Sequence, residues 1–115
     1  MLKRETLRNK KEFSIIYNKG KSIGDRYVVI IYKKNNLGYN RIAVIASKKI
    51  GNAVVRNRAR RLIKESLRKI GDFPFKGWDL IFIARKNIID VKCYCVEKSI
   101  TKAISKTAML RGKNI

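Results

Sequence analysis

The stretch from Lys48 to Lys64 constrains this chain more than any other, because it fits a helix and displays its charge. It carries seven cationic side chains (Lys48, Lys49, Arg56, Arg58, Arg60, Arg61 and Lys64) and no acidic one. Read at the α-helical period, Val55, Ala59, Leu62, Ile63, Ser66, Leu67 and Ile70 fall within about a third of the circumference. Asn57, Arg61, Lys64 and Arg68 form the opposite stripe, flanked by Arg58 and Arg60. Asn52 offers the side-chain acceptor that an N-cap needs, and Gly71 is a natural stop. One helix therefore packs with one face and presents cations with the other.

Exposed helix faces usually mix Glu with Lys, yet Glu65 is the only acid between Arg41 and Gly71. Pairs such as Arg60–Lys64 and Lys64–Arg68 repel by roughly a few tenths of a kcal/mol each. The whole chain shares the bias, with 29 Lys and Arg against 8 Asp and Glu, a net +21 in 115 residues. Self-repulsion of that size asks for a polyanionic partner. A membrane surface is the weaker candidate, since no apolar run nears the roughly 18 residues needed to span. The N-terminal Met1-Leu2-Lys3-Arg4 turns charged at once, so neither a signal peptide nor a lipidation site is expected. A cytoplasmic protein with no membrane partner is the expectation. Cys93 and Cys95, one residue apart, suit neither a bridge nor a metal pair and read as two reduced thiols.

Nucleic acid remains. With about six phosphates neutralised, affinity falls with a log–log salt slope near −4 to −5. No helix-turn-helix pair, zinc site or heptad dimer sets a DNA half-site spacing, so structured RNA fits better. Catalysis by the protein itself is not expected. There is no histidine, and Glu5, Glu12, Asp25, Glu65, Asp72, Asp79, Asp90 and Glu97 are scattered singly. No catalytic residue and no metal site is assigned.

The rest of the chain reads as one domain over residues 1–115. Asn9 and Glu12 form a capping box for a first helix over 10–19, with Phe13, Ile16 and Tyr17 on one face and Gly20 as its stop. Residues 27–32 and 41–47 read as strands joined by turn chemistry, which predicts a hairpin. A third strand covers 78–84. Asp90 is expected to cap a final helix with an apolar stripe of Val96, Ile100, Ala103, Ile104 and Ala108. The order is α-β-β-α-β-α, an α+β sandwich. Two questions stay open at this level. The strands are apolar on both faces, so helices cover the sheet on both sides or one face is left partly open. Phe13 and Tyr17 are either core or a stacking platform for single-stranded bases.

Three blocks of residues resemble the protein subunit of bacterial ribonuclease P. They are Phe13-x-x-x-Tyr17-x-x-Gly20, Ser47-Lys48-Lys49-Ile50-Gly51-Asn52-Ala53-Val54-x-Arg56-Asn57-Arg58-x-x-Arg61-x-x-Lys64, and Ile83-Ala84-Arg85. The resemblance in order and spacing runs over residues 3–108. It implies a small mixed sheet packed with three helices in the order α-β-β-β-α-β-α, with a left-handed βαβ crossover through the basic helix, against the usual hand. The extra strand would lie near 23–26 or inside the hairpin region. It further implies a catalytic RNA that works with Mg²⁺ and one protein copy per RNA. Together they remove the 5′ leader of precursor tRNA and leave a 5′-phosphate on the mature tRNA. Lys48, Lys49, Asn52, Arg56, Asn57, Arg58, Arg60, Arg61 and Lys64 would face the catalytic RNA. Phe13, Tyr17, Ser47 and Arg85 would line a cleft for the leader, with Ile31 or Tyr32 as a further lining residue. Charge and size by themselves suit a small ribosomal protein equally well; a stand-alone nuclease is disfavoured by the missing catalytic groups.

Overall fold

The computed structural model describes residues 4–6, 10–107 and 109. Its elements in chain order are β1 (Arg4–Thr6), α1 (Lys10–Lys19), β2 (Lys21–Gly24), β3 (Val28–Lys34), β4 (Asn40–Ile45), α2 (Ala53–Ile70), β5 (Trp78–Ala84), a 3₁₀ turn (Lys86–Ile88) and α3 (Cys93–Ser105). The strands form a single mixed sheet in the order β1-β4-β5-β3-β2.

The expected hairpin between residues 27–32 and 41–47 does not form. β5 inserts between the two strands, antiparallel to β3 and parallel to β4. Burial explains the order: Leu80, Ile81 and Phe82 are fully buried, so this strand needs cover on both faces and takes the centre. The β4–α2–β5 passage is then the parallel crossover that runs through the basic helix.

Two strands escape the periodicity reading, and both are edges. β2 is the additional strand that the resemblance implies, lying at 21–24 and pairing antiparallel with β3. It is short and largely exposed, with only Ile23 packed on the core. β1 adds a parallel edge along β4. Three- and four-residue strands at the rim leave little unpaired edge for a second molecule.

Strand parity divides the core. Val28, Ile30, Tyr32, Leu80, Phe82 and Ala84 point to the layer formed by α2 and α3, where Ala59, Ile63, Val96 and Ile100 close the main core. Ile31, Ala43 and Ile81 point the other way and meet Ile16 of α1. The helix limits follow from local chemistry. Asn52 Oδ1 accepts from Val55 N–H at 3.0 Å, and Gly71, at φ +79°, donates its N–H to Leu67 C=O at 3.0 Å. α1 stops where expected, and Gly20 is required there by close approach, since a Cβ would sit 2.6 Å from Ile16 O and 3.0 Å from Tyr32 O. Asp90 does not cap α3. Asp90 lies in the turn that follows the 3₁₀ segment, and Lys92 holds the cap position without a side-chain bond. Asn9 and Ala108 lie outside the described residues.

Candidate nucleic-acid interface

α2 shows the two faces that its sequence requires. Ala59, Ile63, Ser66 and Leu67 are buried, while Asn57, Arg58, Arg61 and Lys64 are exposed. The loop before it is pinned from below. Ala46 and Ile50 are buried, and Ile50 N–H bonds Ser47 C=O at 3.0 Å, which leaves Lys48 and Lys49 standing out in solvent. The predicted cations are thus brought together on one continuous surface, but not in one state. Arg60 donates to Asn57 Oδ1 along the helix. Arg56 is half-buried, and its Nε lies buried without a hydrogen-bond partner among the described residues. Such a donor favours an incoming acceptor. Asn52 commits its Oδ1 to the cap and has only its amide N–H groups to offer outward. Arg68 ends the outward stripe in an ion pair with Glu65, whose carboxyl is held below its ordinary range by the Arg68 hydrogen bond.

Among the described residues, α1 alone packs on the opposite face of the sheet, and it covers only part of it. α1 buries Ile31, Ala43 and Ile81, whereas Val29, Ile45 and Ile83 in the neighbouring rows remain half-exposed. Phe13 packs against this layer. Tyr17, one turn on, is 54% exposed, and the two rings stack at 6.4 Å between centroids and 19° between planes. The ring pair therefore serves both readings, with Phe13 as partial core and Tyr17 as free surface. Tyr32 faces the main core and packs on Trp78 at 5.9 Å, so Ile31 is the one of the two on the α1 side.

Ser47 and Arg85 each lie two residues beyond the register pair Ile45↔Ile83 of the parallel strands β4 and β5. They stand at the end of the uncovered strip, and both are exposed. Arg85 is held there: its Nη1 donates to Asp25 O at 3.1 Å, and a Cβ on Gly24 would come within 3.0 Å of that nitrogen. Asp25 is fixed in turn by Ser99 of α3, whose hydroxyl donates to Oδ1 at 3.0 Å and accepts from Tyr27 N–H at 3.2 Å.

Sequence reasoning did not find the groups that position α1. Asp79 is buried and accepts from Arg41 Nε at 2.7 Å, Arg41 Nη2 at 2.6 Å and Asn35 Nδ2 at 2.8 Å. The same guanidinium pairs with Glu12 of α1, so Arg41 joins helix to sheet. Its pKa is raised, first by the Asp79 hydrogen bond. Parity along the strands was the available signal for Val29, Ile45 and Ile83. Nothing local marked the Arg41–Asp79 pairing, which rests on register. Among the described residues, no three His, Cys, Asp or Glu side chains gather as a metal-ligand cluster.

A domain with a cationic helix on one side of its sheet and an uncovered apolar strip with aromatic residues on the other belongs to the class of RNA-binding α+β proteins. The comparisons narrow the class. A ribonuclease P family model matches residues 1–108. A ribonuclease P protein component from Thermoanaerobacter sp. (strain X514) is 43% identical over 114 residues, covering 96% of this chain and 97% of the relative. One from Clostridium botulinum (strain Langeland) is 38% identical, covering 94% and 98%. The solved RNase P protein of Thermotoga maritima superposes with a TM-score of 0.78 at 28% identity, over 90% of this chain and 98% of that one. The Staphylococcus aureus RNase P protein gives 0.76 at 30% identity, over 90% and 94%. The chain belongs to the ribonuclease P protein family, as a protein component of that ribonucleoprotein, which decides against the ribosomal alternative.

Proposed function

We propose that this subunit holds the catalytic RNA with α2 and the 5′ leader of precursor tRNA on the opposite face of the sheet. The observation that carries the reading is the separation of two unlike surfaces across one sheet. One is a dense cationic helix face with a buried unsatisfied Arg56 donor. The other is an apolar strip with a free ring, Tyr17, on its helix and Ser47 and Arg85 at its end. Cations without a built pocket suit phosphates along a folded RNA. A stacked aromatic pair beside apolar sheet suits unpaired bases.

Lys48, Lys49, Arg56, Arg58, Arg61 and Lys64 lower the repulsion between two RNA molecules, so substrate and Mg²⁺ both bind better at physiological salt. Asn52, Asn57 and Arg60 shape that contact through the cap and the Asn57–Arg60 bond. Phe13 and Tyr17 take bases of the leader, while Arg85 and Ser47 meet its backbone. Mature tRNA lacks these nucleotides, so the contact favours precursor over product. Mg²⁺ held mainly by the RNA would supply, when bound, the polarisation of the water that hydrolyses the phosphodiester. The leader departs with a 3′-hydroxyl and the tRNA keeps its 5′-phosphate. Asp25, Glu65 and Asp79 of this chain are engaged in protein hydrogen bonds, which suits a binding role and leaves proton transfer to the RNA. One protein per RNA satisfies this arrangement, since each surface occurs once.

The test is to combine the protein, the ribonuclease P RNA and a 5′-extended tRNA at low Mg²⁺. The protein should stimulate release of the leader; no stimulation refutes the reading.

A further inference from the structure

The outward face of α3 carries a feature that neither surface uses. Tyr94 is 58% exposed on the first turn, although the helix packs through Val96, Ser99, Ile100, Ala103 and Ile104. Lys98, one turn on, places its ammonium 5.3 Å from the Tyr94 ring centroid, and Lys102 follows at the next turn. Between this stripe and Ile70 of α2 runs an open groove of about 510 Å³, also lined by Thr101, with Glu97 as its only acid among the described residues. The groove abuts the end of α2, whose Ile70 lines it, and the two helices meet beneath it, with Ser66 Oγ 3.2 Å from the Cys93 carbonyl oxygen.

The exposed Tyr94 ring beside an apolar floor offers area for stacking, and the flanking lysines specify what takes it. An apolar floor with lysines along one side matches a nucleotide, whose base is flat and apolar on its faces and whose phosphates are anionic. A base pair inside a duplex offers no free face for stacking, so the nucleotide must be unpaired.

We propose that the Tyr94 groove is a second seat for the catalytic RNA. An unpaired base stacks on Tyr94 above Ile70, and the adjoining phosphates lie on Lys98 and Lys102. The proposal rests on the RNA partnership read above, and it places this contact on the sheet face away from the leader strip.

The full-length protein is titrated with ribonuclease P RNA over a range of salt concentrations. Tyr94→Ala should weaken binding about tenfold, and Tyr94→Phe should retain it, because only the ring is needed. Lys98→Gln with Lys102→Gln should make the log–log salt slope shallower by about 1.4, the share of two single-stranded phosphates. Arg61→Gln with Lys64→Gln on α2 serves as the control. Parent-like binding by the α3 variants, with loss in the α2 control, overturns the groove proposal and leaves the RNA reading intact. Parent-like binding by all of them overturns both. Loss that appears only with precursor tRNA puts a different occupant in the groove and overturns the proposal as well.

Discussion

Removing the Arg41 guanidinium would leave the Asp79 carboxylate buried with Asn35 as its remaining side-chain hydrogen-bond partner and would break the tie between Glu12 of α1 and the sheet. A buried charge stripped of its partner costs about 3 kcal/mol. Arg41→Ala should lose about that much in urea unfolding and, with α1 held by its apolar contacts but without the Arg41 tie, should weaken precursor tRNA binding more than mature tRNA binding. Gly24 acts more narrowly. Gly24→Ala crowds the Arg85 guanidinium and should shift it by a few tenths of an ångström, since the new methyl would lie 3.0 Å from Nη1. Precursor affinity should fall while the unfolding midpoint barely moves. Asp25 links the same loop to pH. Partial burial raises its carboxyl, but the Arg26 N–H, the Ser99 hydroxyl and the field of Lys102 and Lys106 outweigh it, and the net shift is downward. A lowered folded pKa gives stability that is present above the unfolded value near 3.9 and is lost as pH falls through the folded one. Asp25→Asn should therefore destabilise the protein at about pH 6 and have little effect at about pH 2, measured by denaturant unfolding at both. None of these three positions is legible in the sequence. Each depends on a partner brought close by sheet register or by α3, with a sequence separation of 38 from Arg41 to Asp79 and of 74 from Asp25 to Ser99.

Helices were read well from the sequence because their signals are local. Asn52 and Gly71 bound α2 through bonds to residues three and four positions away, and the 3.6-residue period fixed which side packs. Strands were read less well because pairing is not local. The turn after β3 looked like a hairpin, yet β5 separates β3 from β4. The clue was present in the two-sided apolar character of Leu80–Ala84, which demands a central place. β1 and β2 gave no pattern, since a short edge strand has neither apolar alternation nor length. At this scale Asn52 separates structure from contact. Asn52→Ser keeps a capping oxygen and removes the amide, so stability should hold within about 0.5 kcal/mol. A drop in RNA affinity with the unfolding curve unchanged assigns the amide to RNA.

For the whole molecule, the sheet acts as a partition. α2 and α3 close one face with the main core, while α1 covers only part of the other. Function was legible in the order of residues around Lys48–Lys64, which carries the resemblance to the family. The uncovered strip was not, because openness depends on where α1 crosses the sheet. Two surfaces on opposite sides should act independently, and substitutions more than about 10 Å apart usually add in free energy. The most direct measurement is the affinity of the assembled ribonucleoprotein for precursor and for mature tRNA, with Phe13→Ala alongside the parent protein. Precursor binding should weaken about tenfold, as loss of a stacking ring implies, while mature tRNA binding stays unchanged. Equal losses for both, or no loss for either, would contradict the assignment of the leader to the α1 face.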